Sequence, residues 1–311
     1  MPRTAIDASR IARRVIACAW LACAGSAHAL NVFACEPEWA SLVKALAPQA
    51  RVVSATHQRQ DPHHIEARPS LIAALRRADL AVCTGAELEA GWLPVLQQRA
   101  GNPKVLDHAD GMFFASDHVA LIDAREPGSP FDGDVHAAGN PHFQMDPDRL
   151  LEVARDLADA LAQVDPAGAS DYRRRAQAFE RDWQAHVQRW RAQTSTLRGQ
   201  RVIAQHSSFA YLWHWLGMTQ TADLEPKPGL PPTPGHLNAV LKLAQRERPL
   251  AVASTRYQDS RSARWLAAQL GNEAMAIALP TTVDDAQDPQ GLVRLFDELF
   301  KQLLNAGGGA R

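Results

Sequence analysis

Charge of one sign is what this sequence lacks most. Its 33 lysines and arginines face 34 aspartates and glutamates over 311 residues, a formal net charge of −1 at pH 7. A nucleic-acid-binding chain usually carries a basic excess, so the balance argues against such a partner. Long apolar runs are missing after residue 29, where no stretch reaches the ~20 residues that a membrane-spanning helix needs. Neither an H-E-x-x-H helix nor a G-x-S-x-G elbow occurs, which removes the usual signatures of zinc peptidases and serine hydrolases. Cysteine is scarce, with four residues at Cys18, Cys23, Cys35 and Cys83.

The N-terminus has a logic of its own. Arg3, Arg10, Arg13 and Arg14 precede the apolar run VIACAWLACAG, and Ala27-His28-Ala29 has the A-x-A form of a signal-peptidase site. A basic flank and a small-residue exit favour an export signal over a buried first helix. Trp20 and Leu21 ahead of Cys23 speak against a lipid anchor there, so cleavage after Ala29 is expected. The remaining chain should be soluble, periplasmic and mildly acidic, which points to small ligands or protein partners. Cys18 and Cys23 would leave with the signal. Cys35 and Cys83 stay, each in an apolar strand-like run, and an oxidising compartment permits a disulfide between them. Two buried free thiols are the alternative, because sequence does not give their separation.

Strands and helices alternate along the chain. LNVFAC (30–35), RVVSAT (51–56), DLAVCTG (79–85) and KVLD (104–107) read as strands, with helices over PEWASLVKALAP, SLIAALRRA and the Pro94-interrupted ELEAGWLPVLQQRA. RVIAQH (201–206), TQTADLE, LAVAST (250–255) and AMAIALP (274–280) repeat the scheme, and the last helix covers roughly residues 290–304. Such alternation predicts an α/β fold of βα units with parallel sheets. Between the halves, Asp146 can cap a helix that carries Pro147 in its first turn. A second helix, from about Ala167 to Gln193, places Tyr172, Ala176, Phe179, Trp183, Val187 and Trp190 on one face. Its length suits a strut between two lobes better than a cover for one sheet. The expected organisation is a signal peptide (1–29), an N-terminal lobe (30–165), a long linking helix (166–196), a C-terminal lobe (197–306) and a frayed tail (307–311).

In open parallel sheets, ligands bind beyond the carboxyl ends of the strands. Four such ends deliver imidazoles or carboxylates here. His57, His63 and His64 follow the second strand, and the loop GDVHAAGNPHF brings His136 and His142. His206 ends the first strand of the second half, and Asp284, Asp285 and Asp288 follow the last strand. Imidazole and carboxylate together suit Zn2+, whereas Mn2+ usually draws on more oxygen donors.

DPHHIEARPS (61–70), TGAELEAGWLP (84–94), GDVHAAGNPHFQMDP (133–147), QHSSFAYLWHWLG (205–217) and EPKPGLPPTPGHL (225–237) stand in one order over nearly the whole chain. In these motifs the sequence resembles the periplasmic zinc- and manganese-binding proteins that feed ABC importers. The resemblance implies two lobes, each with a parallel four-stranded sheet flanked by helices, joined by one long rigid α-helix. It implies His63, His142 and His206 as metal ligands, and a carboxylate after the last strand as the fourth. Asp284 is the candidate, with Asp285 as its alternative, although strict alignment puts Thr281 at that place. His64 and His136 are accessory candidates. Successive loop side chains such as His63 and His64 rarely converge on one ion, and His136 reads as a solvated loop residue, a weak second site or a lid. Glu66 and Arg68 could orient His63. The implied role is capture of Zn2+, with Mn2+ as the alternative, for delivery to a membrane permease of the ABC type. A periplasmic metallochaperone is a further candidate partner, and a monomer is expected. The competing functions are a zinc-dependent hydrolase and a surface adhesin or metallochaperone on the same scaffold.

Overall fold

The computed structural model describes residues 29–124, 136–271 and 274–308. The expected export signal, save Ala29, and the last three residues of the tail lie outside the described residues.

The first sheet consists of β1 (Asn31–Ala34), β2 (Arg51–Ser54), β3 (Leu80–Cys83) and β4 (Met112–Phe114), with the central strands β1 and β3 the most buried. Phe33, Ala34, Leu80 and Val82 are fully buried, as strands covered by helices on both sides require. All pairings are parallel, in the order β2-β1-β3-β4. The covering helices are α1 (Pro37–Leu46), α2 (Pro69–Arg77) and α3 (Leu93–Ala100), each with proline in its first turn, where the missing N–H leaves nothing unpaired.

Two helices follow. In α4 (Pro147–Val164), the Asp146 carboxylate accepts from the N–H groups of Asp148 and Arg149. The next, α5 (Ala169–Gln193), is 25 residues long, about 38 Å at 1.5 Å per residue. The second sheet consists of β5 (Arg201–Ala204), β6 (Thr219–Asp223), β7 (Ala251–Thr255) and β8 (Met275–Leu279). Its order, β6-β5-β7-β8, is again parallel throughout and repeats the first topology. Around it lie α6 (Ala210–Leu216), α7 (Pro234–Glu247), α8 (Arg261–Leu270) and α9 (Gly291–Gly308). Among the described residues no helix is long and apolar enough to cross a membrane.

The long helix packs against α1, α4 and α9, so it touches elements of both halves. Its stripe is anchored by hydrogen bonds. Trp183 Nε1 donates to the Pro147 carbonyl at 2.7 Å, and Trp190 Nε1 to Asp297 Oδ1 on α9 at 2.7 Å. Both indoles are buried and pack, edge-on or tilted, into one cluster with Phe296 and Phe300.

Three sequence expectations are corrected. KVLD is not a strand: Pro103–Val105 forms a 3-10 turn capped by Asn102, and the edge strand is Met112–Phe114. Pro103 supplies a turn start and no ladder donor, while Met112, Phe113 and Phe114 pair in register with Ala81, Val82 and Cys83. The helix read from Glu87 begins only at Leu93, because Pro94 suits a first turn and not an interior. The last helix continues beyond Leu304 to Gly308, held by Ala306 in the core.

In each sheet the strand order reverses beside the first strand, between β1 and β3 and between β5 and β7. Loops leaving those strands diverge and open a crevice at the carboxyl edge. Cys35 and Cys83, at the ends of β1 and β3, are joined there by a disulfide with Cα atoms 4.8 Å apart.

Candidate metal centre

His63 sits in the loop after β2, in the turn Asp61-Pro62-His63. Asp61 Oδ1 accepts from the His63 backbone N–H at 3.0 Å and lies 2.7 Å from its Nδ1. Burial by itself would raise the Asp61 carboxyl, but the hydrogen bonds and charge of His63 outweigh it and hold the group below its ordinary value. With Nδ1 engaged, Nε2 is the nitrogen left to face the crevice.

His206 follows β5 and is treated the same way by a different element. Its Nδ1 lies 2.9 Å from Glu225 Oε2, just beyond β6, and both residues are buried. Glu225 is itself held by the Gly229 N–H at 2.8 Å and by Gln258 Nε2 at 3.3 Å. A carboxylate on the far nitrogen fixes ring orientation and tautomer and raises the basicity of the near one.

His142 comes from the segment that leads into α4. Its N–H donates to Asn140 Oδ1 at 2.9 Å, while Asn140 Nδ2 donates to the Ser207 carbonyl at 3.1 Å and Tyr211 Oη donates to the Asn140 carbonyl at 2.7 Å. The motif Asn-Pro-His is thus tied to the second half of the molecule. His142 is only 2 % exposed, and its Nε2 is buried with no hydrogen-bond partner. Burial, and then the nearness of His63, His206 and His136, push its pKa well below the ordinary histidine value, so the ring is neutral.

These three rings meet. The His63 centroid lies 5.5 Å from that of His142 and 6.3 Å from that of His206, and His142 and His206 are 5.8 Å apart. A neutral, unpartnered imidazole between two carboxylate-steered ones is a donor set for a borderline metal. His136 adds a fourth ring, 5.3 Å from His63 and stacked on it, with the two Nε2 atoms 3.2 Å apart. His64 is exposed, its ring 6.3 Å from that of His63.

The expected carboxylates are elsewhere. Asp284 is exposed and forms an ion pair with Arg256 at 3.2 Å. Asp285 is also exposed, and its Oδ1 caps the Gln287 N–H at 2.8 Å. Thr281 and Thr282, not these aspartates, line the hollow that His142 borders together with Glu36, Glu38, Gln144 and Tyr257. The reason is local: Thr281, Thr282 and Val283 are buried as the chain leaves β8, and it reaches solvent at Asp284. The His63 partner expected from Glu66 or Arg68 is Asp61 instead, since both of those side chains are exposed.

Beneath the rings lies an acidic floor that sequence reasoning missed. Glu36 accepts from Thr84 Oγ1 at 3.0 Å, and Trp39 Nε1 donates to that hydroxyl at 2.8 Å. Glu38 accepts from Thr282 Oγ1 across the crevice. Glu89 accepts from the N–H groups of Thr84 and Gly85 at 2.6 and 3.0 Å. Burial pushes Glu38 and Glu89 up to about 7, and burial followed by the charges of Glu89 and Glu38 raises Glu36 well above the carboxylate range. The legible signal is E-P-E-W directly after a strand, where buried acids are rare without a purpose. Among the described residues, Cys35, Cys83 and Glu89 form a tighter donor trio, with ligand atoms within 4.8 Å, than the imidazoles do. Their sulfurs are bonded to each other and offer no thiolate.

The family described as zinc-uptake complex component A, periplasmic, matches residues 32–306. The high-affinity zinc uptake system protein ZnuA of Yersinia pestis is 22% identical over 191 residues, 58% of this chain and 60% of that protein. The match therefore spans less than two thirds of that relative. A crystal structure of ZnuA, 20% identical, has a TM-score of 0.72 over 89% of this chain and 98% of the other. The SBP FpvC of Pseudomonas aeruginosa, solved in complex with Mn2+, is 19% identical with a TM-score of 0.73 over 89% and 98%.

Proposed function

Because the chain belongs to the family of periplasmic zinc-uptake components, we propose that it is an exported solute-binding protein that captures Zn2+ between its lobes and passes it to an ABC permease. The observation that carries this reading is His142 Nε2: a buried ring nitrogen with no partner, within one cluster with His63 and His206. An unpaired polar atom of that kind costs about 1–3 kcal/mol, and a metal bond removes the penalty.

His63 and His206 arrive with their tautomers set by Asp61 and Glu225, so little reordering accompanies capture. Nitrogen donors predominate, which favours Zn2+ over Mn2+. Bringing Zn2+ onto the rings requires them neutral, so affinity falls as pH drops through histidine titration. Release to the permease needs the lobes to shift, and the bonds Glu38–Thr282 and Gln144–Thr281 across the crevice would be the first to give. Export with cleavage after Ala29 completes the reading and is checked by the N-terminal mass of the secreted chain.

The direct test is competition against a chromophoric chelator, on wild type and on His63→Ala, His142→Ala and His206→Ala. Each single change should lower Zn2+ affinity by at least roughly tenfold, about 1.4 kcal/mol. Unchanged affinity in any of the three removes that residue from the shell. A carrier should also leave model esters and peptides intact, whereas metal-dependent turnover would restore the hydrolase reading.

A further inference from the structure

We propose that His136 is the fourth protein ligand of the captured metal and that Glu87 is the positioning residue that holds it there. The inference rests on the three-histidine reading above and fills the place that the sequence assigns to Asp284 or Asp285.

A tightly held zinc closes a tetrahedron of four donors. With both aspartates exposed and bonded elsewhere, three imidazoles leave one vertex open. His136 approaches that vertex from the His63 side. Its Nε2 is 3.2 Å from His63 Nε2, and the edge of a tetrahedron with Zn–N bonds of ~2.0–2.1 Å is roughly 3.3 Å. Its ring is also no farther from His63 than His142 is, at 5.3 against 5.5 Å.

A loop imidazole reaches such a place reproducibly only if its backbone is held. On the side towards His142 the segment is fixed by Gly139 N–H to the His136 carbonyl at 3.3 Å and Asn140 N–H to the Ile122 carbonyl at 2.8 Å. Directly beside His136, on the same side, the Ala137 N–H donates to Glu87 Oε2 at 2.7 Å. Glu87 offers its carboxylate from an unusual arc. Gly85, Ala86 and Glu87 all have left-handed backbones, with φ of +79°, +49° and +67°. For the alanine and the glutamate this conformation is disfavoured, because Cβ crowds the following carbonyl oxygen. Gly85 has no freedom to be otherwise, since a Cβ there would lie 2.3 Å from Ser116 Oγ. Buried Glu89 clamps the start of the arc through the Thr84 and Gly85 N–H groups. Strain of this sort concentrates where a chain must present a group in one direction. Here that direction leads to the backbone carrying His136.

The experiment uses the full mature chain loaded with Zn2+, and reads the imidazole count by X-ray absorption and the release rate into excess chelator. Wild type should show four imidazoles, and His136→Ala three with one oxygen donor, with release accelerated at least roughly tenfold. Glu87→Ala should accelerate release in the same direction, Glu87→Gln should stay near wild type because it keeps an acceptor, and Glu87→Ala should add nothing in the His136→Ala background. A merely structural Glu87 would add its own effect in that background, which overturns its role. Three imidazoles in wild type together with an unchanged release rate in His136→Ala overturn the fourth ligand. His206→Ala separates the two levels. If it loses Zn2+ while His136→Ala does not, only this inference fails; if it binds as wild type, the three-histidine reading fails first.

Discussion

Asp61 and Glu225 bring the same chemistry to two histidines by different routes. Asp61 reaches forward two residues within one turn, whereas Glu225 reaches across from the end of the neighbouring strand to a histidine nineteen residues earlier. Both carboxylates keep a ring nitrogen aimed at the crevice, and both add negative charge next to a cation. Asp61→Asn and Glu225→Gln preserve size and remove that charge, so each should weaken Zn2+ binding by roughly 10- to 100-fold. Competition titration checks this, and near-wild-type affinity in both variants would mean that the rings need no steering. The two routes also explain what was legible. His63, His142 and His206 are visible as loop residues at strand ends, because strand ends can be read from apolar runs. Glu225 as the partner of His206 cannot be read that way, since it depends on β5 and β6 lying side by side in a register with an irregularity between Val202 and Ile203. Asp284 was misplaced for a related reason: the spacing shows that an acid follows β8, but not that two buried threonines intervene before the chain reaches solvent.

At the scale of elements, the long helix is where sequence periodicity and structure agree most closely. Its stripe is evident at four-three spacing, and Trp183 and Trp190 of that stripe are the buried bolts that join α5 to α4 and α9. Truncating Trp190 removes a fully buried indole and leaves Asp297 Oδ1 with Arg189 as its remaining donor. Trp190→Ala should therefore destabilise the chain by about 3–5 kcal/mol, read by urea unfolding followed by circular dichroism. A change under about 1 kcal/mol would mean that the helix is not the strut between the lobes. The edge strand β4 was less legible. It has three residues, too few for any alternation to show, and it lies after a turn whose Lys104, Val105 and Leu106 look more strand-like than they are. The disulfide belongs to this scale too, since it ties the ends of β1 and β3 across a 48-residue separation. Replacing Cys35 and Cys83 together by serine should cost roughly 2–4 kcal/mol, mainly by freeing the unfolded chain. Equal unfolding midpoints for the variant and the oxidised protein would argue that the tie adds nothing.

Over the whole molecule, the buried acids and the buried imidazole set opposite trends in stability with pH. His142 titrates below its unfolded value, so the unfolded chain binds the extra proton and metal-free stability falls as pH drops below about 6.5. Glu38 and Glu89 titrate near 7, above their ordinary value of 4.5, so the folded state holds the extra protons between those limits. Their contribution is greatest at low pH and is lost as pH rises through 7. Glu38→Gln keeps an acceptor for Thr282 and has no proton to lose, so it isolates one arm of this balance. Relative to wild type, metal-free Glu38→Gln should gain up to about 3 kcal/mol between pH 4.5 and pH 8, the energy of a shift from 4.5 to about 7. Urea unfolding at pH 4.5, 6 and 8 measures the difference. A gap that does not widen with pH would show that Glu38 is ionised throughout, and the acidic floor would then be a fixed negative charge beneath the metal. A widening gap makes it a set of neutral acids that can release protons as a cation settles above them.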